Sequence, residues 1–273
     1  MTGILAQVIA LTTYGNDYLI NGKIPAKFDF ENTTFQFCNK VDFREFKKPI
    51  FSSELKEKVV AQNPTEWFKY LKDDGCKHLR LYFESSKDQS LAKDHKLAGM
   101  VGGGGVWLIE TIYDNYSNYW RNRWEVTDKN AIDRKIWSVS YGMIAKKQYT
   151  SNLQIDNQSV REKLKQTLTE IADFAFKQNL QNWGELFEEA KATLDSASPE
   201  KNYYHKDLIP LENYSLTAKQ ILFSAGSAWV FGGMGSWNDL GFEKKEDNDT
   251  YDRLSEQLYS KINEAIIAGT NTY

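Results

Sequence analysis

The chain has 273 residues, 41% hydrophobic and 26% charged, with a formal net charge of −3 at pH 7. That balance describes an ordinary globular protein, long enough to bury a core without help from a disulfide or a metal. The even mixture of acids and bases argues against nucleic acid as a partner, which calls for a basic stripe or a high isoelectric point.

Aromatic residues make up 14% of the chain, so rings are expected to dominate the core or a site. Cys38 and Cys76 lack C-x-x-C spacing and read as two reduced, buried thiols. His78, His95 and His205 are scattered, which points to no metal site, and no cofactor signature is present. The apolar run at 4–11 is shorter than the ~20 residues needed to cross a bilayer. It also lacks a basic flank, so it reads as a buried first helix or strand of a cytoplasmic protein with no membrane association.

Turn signals follow at Tyr14-Gly15-Asn16-Asp17 and Asn21-Gly22. Phe28, Phe30, Phe35, Phe37, Val41 and Phe43 recur at near-alternate positions, which predicts one or two strands within 28–46. Ser53 is expected to open a short helix reaching Gln62. A second helix starts with Asn63 as N-cap, Pro64 at its first position and Glu66 at the third, and stops at Gly75.

Four alternating segments, 77–84, 106–113, 118–126 and 135–144, are separated by short polar turns. They predict an antiparallel meander over about 77–145. From 157 the apolar period becomes 3.6. Ser159 to Glu162 reads as a capping box ahead of Leu164, Leu168, Ile171 and Ala175. Trp183, Leu186, Phe187, Ala190 and Leu194 mark a second helix, and Thr217 a third start. A last helix over 250–268 is expected to stop at Gly269. Strands followed by helices give an α+β fold, a meander packed against a mainly helical C-terminal half. With no linker between a sheet-rich 1–150 and a helix-rich 151–273, one domain is expected.

Two segments combine glycines with tryptophan and methionine. The first holds Gly102, Gly103, Gly104 and Trp107; the second holds Trp229, Gly232, Gly233, Gly235, Ser236, Trp237 and Asn238. Glycine clusters carry an entropic cost, tolerated where the backbone takes positive φ or comes close to another group. Neither segment has the Gly-Lys-Ser/Thr of a Walker loop or the strand–loop–helix setting of a dinucleotide loop. Ser236 lacks nucleophile-elbow spacing.

Asp239 reads either as turn chemistry or as a base or cation ligand. Arg121 and Arg123 read as a solvated sheet face with ion pairs or as a clamp for an anion. Glu110, inside an apolar strand, needs a partner such as Arg80, Arg121 or Arg123; a catalytic carboxylate is the sharper alternative. Residues 87–96 read as an exposed loop and 243–249 as a solvated linker capping the last helix.

Two functions follow as expectations. One is an intracellular protein-interaction module, immunity-like, defence-related or a subunit of a bacterial assembly, binding another protein through an aromatic-rich surface. The alternative is a small-ligand or nucleotide-processing enzyme with a pocket formed by the two Gly/Trp segments, which requires those segments to meet in space.

Overall fold

Thr2 opens helix α1 (Gly3–Asn21) by accepting the Leu5 N–H, and Gly22 ends it at φ 67°, donating its N–H to the Tyr18 carbonyl. Every residue from Leu5 to Asp17 is buried. The computed structural model describes residues 1–26, 28–47, 56–90, 92–100, 103–150 and 152–273. Tyr14, Gly15, Asn16 and Asp17 are helical rather than a turn, and the reason is tertiary. A Cβ on Gly15 would sit 2.2 Å from Leu79 Cδ1, so glycine there lets the helix lie directly against a strand.

Residues 28–35 are also not a strand. They form the short helix α2 (Phe28–Glu31) and a 3-10 turn (Thr33–Phe35), whose N-cap Asn32 accepts the Thr34 N–H. The side chains of Phe28 and Phe35 pack edge to face at 5.3 Å. Strand β1 (Cys38–Lys47) follows, and the helix expected from Ser53 to Gln62 is replaced by strand β2 (Lys56–Ala61), antiparallel to β1; Ser53 itself lies outside the described residues. A ladder partner overrides local helix preference here. Helix α3 (Pro64–Asp73) has its expected cap, with Asn63 accepting the Glu66 N–H, and Gly75 takes φ 84°.

The meander is present as β3 (His78–Glu84), β4 (Val106–Ile112), β5 (Ser117–Val126) and β6 (Trp137–Gln148), each antiparallel to the next. β1 joins β6 in parallel, giving the mixed order β2-β1-β6-β5-β4-β3. Leu79, Leu81, Trp107, Ile109, Trp120, Val139, Tyr141 and Phe43 share the face turned to the helices and are buried. Phe43 stacks on Trp67 of α3 at 4.3 Å with 7° between ring planes. The opposite face carries Asp42, Arg44, Glu110, Arg121 and Arg123.

Short helix α4 (Asp94–Leu97) precedes β4. The helical half comprises α5 (Asn157–Lys177), α6 (Gln181–Thr193), α7 (Leu216–Ser227) and α8 (Lys245–Asn271). Asp156, not Ser159, caps α5, accepting the Gln158 and Ser159 N–H groups at 3.1 Å. α8 begins inside the segment read as a linker and runs through Gly269. A Cβ there would lie 2.7 Å from Leu222 Cβ and 2.9 Å from the Ala218 carbonyl, so this glycine lets α8 meet α7 rather than stopping it. One apolar cluster runs through both halves, from Phe43 and Trp120 to Leu168, Phe223 and Ile262.

β3 is an edge strand, and two asparagine side chains close its outer edge. Asn16 of α1 donates to the Leu79 carbonyl at 2.8 Å and accepts the Leu79 N–H at 2.6 Å. Asn271 of α8 does the same for Leu81, at 2.9 and 2.7 Å. Each amide stands in for one residue of a missing strand, which also shields the edge from other chains. An Asn16→Leu variant leaves the Leu79 N–H and carbonyl buried without these partners, and each such group costs about 1–3 kcal/mol. Urea unfolding should therefore show a stability loss of about 2–5 kcal/mol with an unchanged m-value; a loss below about 1 kcal/mol would show that the amide is dispensable.

Candidate functional site: a tryptophan-walled cleft

β4 pairs with β3 along its whole length, from His78↔Ile112 to Glu84↔Val106. With β5 it pairs only from Ile112↔Ser117 to Ile109↔Trp120, after which β5 continues against β6 alone. The sheet therefore forks between 106–108 of β4 and 121–126 of β5. A bulge at Tyr119 in the β5–β6 ladder adds a bend where the fork opens.

The first glycine segment fixes the other side of the fork. Gly104 and Gly105 take φ 76° and 77°, a backbone region that glycine enters without strain. A Cβ on Gly103 would sit 2.3 Å from the Leu97 carbonyl, and one on Gly105 2.6 Å from the Phe83 ring. The loop thus lies against α4 and the end of β3. The Tyr259 hydroxyl of α8 donates to the Gly104 carbonyl.

In the fork is a cleft of about 380 Å³, lined by Gly103, Gly104, Gly105, Trp107, Arg121, Asn122, Trp124, Trp137, Trp229 and Tyr259, with Met100 among the residues around it. Trp124 and Trp137 meet edge to face at 5.8 Å, and Trp229 lies 5.9 Å from Tyr259. Polar groups are few. Trp229 donates its indole N–H to the Phe231 carbonyl at 2.9 Å. The buried Trp124 Nε1 has no hydrogen-bond partner, and among the described residues Arg121 makes no ion pair. Trp124 Nε1–H is thus an unpartnered donor on a cleft residue, while Arg121, alternating with Trp120 and Trp124 along β5, is exposed at the rim of the cleft.

Of the residues singled out in the sequence, the cleft gathers Gly103, Gly104, Trp107, Arg121 and Trp229. Gly102 lies outside the described residues. Arg123 is engaged with Glu125 at 2.6 Å on the exposed surface. Glu110 is buried on the opposite sheet face, where Arg80 Nε meets its Oε2 at 2.6 Å and the Tyr119 hydroxyl donates to its Oε1 at 3.1 Å. Burial first, and the Glu110 charge second, raise the Tyr119 phenol above its ordinary range.

The second glycine segment behaves differently. Trp237 is fully buried, donating to Ser255 Oγ at 2.7 Å and packing edge to face on Trp183 and Phe187. Ser236 caps a 3-10 turn (Trp237–Asp239) and donates to the Gly232 carbonyl at 3.1 Å. Asp239 accepts the Gly235 N–H, and Gly235 takes φ 81°. Asn238 donates to the His95 carbonyl at 3.0 Å, tying this turn to α4. These contacts are those of turn and core.

The two glycine segments do meet, through Gly99 and Gly232. A Cβ on Gly99 would fall 1.8 Å from the Gly232 carbonyl oxygen and 2.1 Å from its carbon. Trp124, Trp137 and Tyr259 are cleft residues that the sequence reading did not select. The alternation of Trp120, Asn122 and Trp124 along β5 was the available signal for Trp124; no local signal marks Tyr259, which arrives from α8.

Gly99→Ala forces backbone against backbone and should cost about 1–3 kcal/mol, as overpacking does. Gly233→Ala, where nothing lies within 4 Å, should change stability by less than about 0.5 kcal/mol. Thermal melts of the two variants side by side check this contact, and equal melting points would refute it.

Compared with protein-family models, curated proteins and solved structures, the chain gives no match.

Proposed function

We propose that this protein is a binding module whose cleft takes a planar ligand bearing a negatively charged or carbonyl-type acceptor group. The observation that carries the reading is the buried Trp124 indole N–H, unpartnered among the described residues, on a ring-lined cleft with the exposed Arg121 at its rim. A buried donor without a partner is costly, and an acceptor on the ligand offsets that cost. The tryptophan rings favour a flat, apolar body, with ring contacts contributing about 0.5–1.5 kcal/mol each beyond area burial. A guanidinium suits a carboxylate, sulfonate or phosphate. The volume of about 380 Å³ is within the range of small-ligand sites. Glu110 and Asp239 lie outside the cleft, so the reading is recognition rather than turnover.

A second reading, docking of another protein on the aromatic-rich surface, draws on one further observation. Met100 and Met234, 64% and 101% exposed, project from the two glycine segments that touch at Gly99 and Gly232. Flexible thioethers of this kind suit an adaptable interface. Under either reading the free, buried Cys38 and Cys76 favour a reducing, cytoplasmic setting. No helix among the described residues is long and apolar enough to cross a membrane.

The test is a titration with 1-anilinonaphthalene-8-sulfonate, an anion built on a planar naphthalene ring, followed by its fluorescence and by isothermal calorimetry. One equivalent should bind, and Arg121→Ala and Trp124→Phe should each weaken binding about tenfold, the scale of a lost hydrogen bond to a charged group. Arg123→Ala, already committed to Glu125, should bind as the parent does. Equal affinities for Arg121→Ala and Arg123→Ala would sink the cleft reading.

A further inference from the structure

A second cavity, of about 310 Å³, lies between α4 with the loop before it and the C-terminal half of α8. Its lining includes Asp94, His95 and Asn263, which are 5%, 3% and 5% exposed. Each has a buried polar atom without a hydrogen-bond partner: Asp94 Oδ1, His95 Nε2 and Asn263 Oδ1. Eight such side-chain atoms occur among the described residues, and three of them belong to this one lining. The segment read as an exposed loop thus contributes a buried polar wall.

The charge is equally uneven. Lys93 is bridged to Glu256, and Glu264 is bridged to Lys261 at 2.7 Å. Asp94 has no cation among the described residues; its Oδ2 accepts the Ser86 N–H at 3.0 Å and Gln89 Nε2 at 3.4 Å. Burial, reinforced by Lys96, lowers the His95 pKa and favours the neutral ring, which offers one acceptor nitrogen when the proton sits on Nδ1. A buried carboxylate without a counter-ion is costly. Phe83, Tyr259 and Ile267 add apolar and ring surface to the same lining, and ring faces attract cations.

We propose that this cavity is a binding site for the ammonium group of a small organic amine, held by Asp94 Oδ1, His95 Nε2 and Asn263 Oδ1. An –NH₃⁺ group carries three donors and no acceptor, matching the three unpartnered acceptors, and its charge supplies the counter-ion that Asp94 lacks among the described residues. The hydrocarbon part of the amine packs on Phe83 and Ile267. The site is separate from the tryptophan cleft in polarity: acceptors here, donors there. Tyr259 is the residue that both cavities share.

The experiment is calorimetry of the full chain at pH 7.5 with 2-phenylethylamine, and with 2-phenylethanol as the isosteric control without charge. The amine should bind at least tenfold more tightly than the alcohol. Asp94→Asn, which keeps an oxygen for Ser86, should weaken the amine at least tenfold while the melting temperature without ligand stays at or above that of the parent, because an uncompensated buried charge is removed. Asn263→Leu serves as a second variant should the first fail to fold, with at least a fivefold loss expected. Equal affinity for amine and alcohol, no binding of the amine by a folded protein, or full binding by both variants would overturn the proposal. Mn²⁺ or Zn²⁺ binding that excludes the amine would overturn it in favour of a metal site. Anilinonaphthalene sulfonate binding and its loss in Arg121→Ala are read separately, so either site can fail without the other.

Discussion

The outer edge of β3 is the constraint on which the rest of the architecture turns. A strand at the end of a sheet presents backbone groups that must find water, a neighbour or a substitute. Here the substitutes are the amides of Asn16 and Asn271, reaching Leu79 and Leu81 from opposite ends of the chain. Each amide makes two hydrogen bonds in a fixed plane, so it positions its helix along the strand as well as satisfying it. α1 can approach because Gly15 presents no Cβ to Leu79 and Phe68, and α8 is held to α7 by the same device at Gly269.

With Asn271 fixed on β3, α8 becomes the rod that positions the candidate sites. Tyr251, Ser255, Tyr259, Asn263, Ile267 and Asn271 recur every four residues, a stripe that winds slowly around the helix because four residues exceed one turn of 3.6. The Tyr251 hydroxyl donates to the Trp237 carbonyl, and Ser255 accepts the Trp237 indole. Tyr259 then holds the glycine loop, while Asn263 and Ile267 line the second cavity. Tyr251, Ser255, Tyr259 and Asn271 are each matched to a backbone or indole group elsewhere, which fixes the register of helix against sheet, whereas Asn263 keeps an unpartnered Oδ1.

Much of the fold was legible from local chemistry. The β3–β6 meander follows from alternation, α3 from Asn63 and Pro64, and the helical half from a 3.6-residue period. The misreadings share one cause. Gly15, Asn16 and Gly269 were read by what they do to their own backbone, as turn or stop signals, whereas their roles are set by Leu79, Ala218 and Leu222, distant in sequence. β2 likewise depends on β1 as a ladder partner. For the cleft, Gly103, Gly104 and Trp107 stood out as a cluster, while Trp124 showed only in the alternation along β5 and was not selected. Tyr259 and Trp137 were not, because nothing local distinguishes a cleft ring from a core ring. Trp237 shows the reverse case: it sits in the most conspicuous glycine segment and is a core residue.

The pattern of polar satisfaction gives the strongest argument about function. At the β3 edge, four buried backbone groups are met by two side chains with good geometry. The Tyr259 phenol, raised to about 12 by burial against a hydrogen bond from Asn263, stays protonated and committed to the Gly104 carbonyl. Near this satisfied group lie an unpartnered donor at Trp124 and a group of unpartnered acceptors at Asp94, His95 and Asn263. Of the eight unpartnered buried side-chain atoms among the described residues, four belong to residues lining the two cavities, and three of those share one lining. The others, on Trp67, Trp120, Asn157 and Thr270, lie elsewhere, so it is the grouping of Asp94, His95 and Asn263 that argues for a ligand.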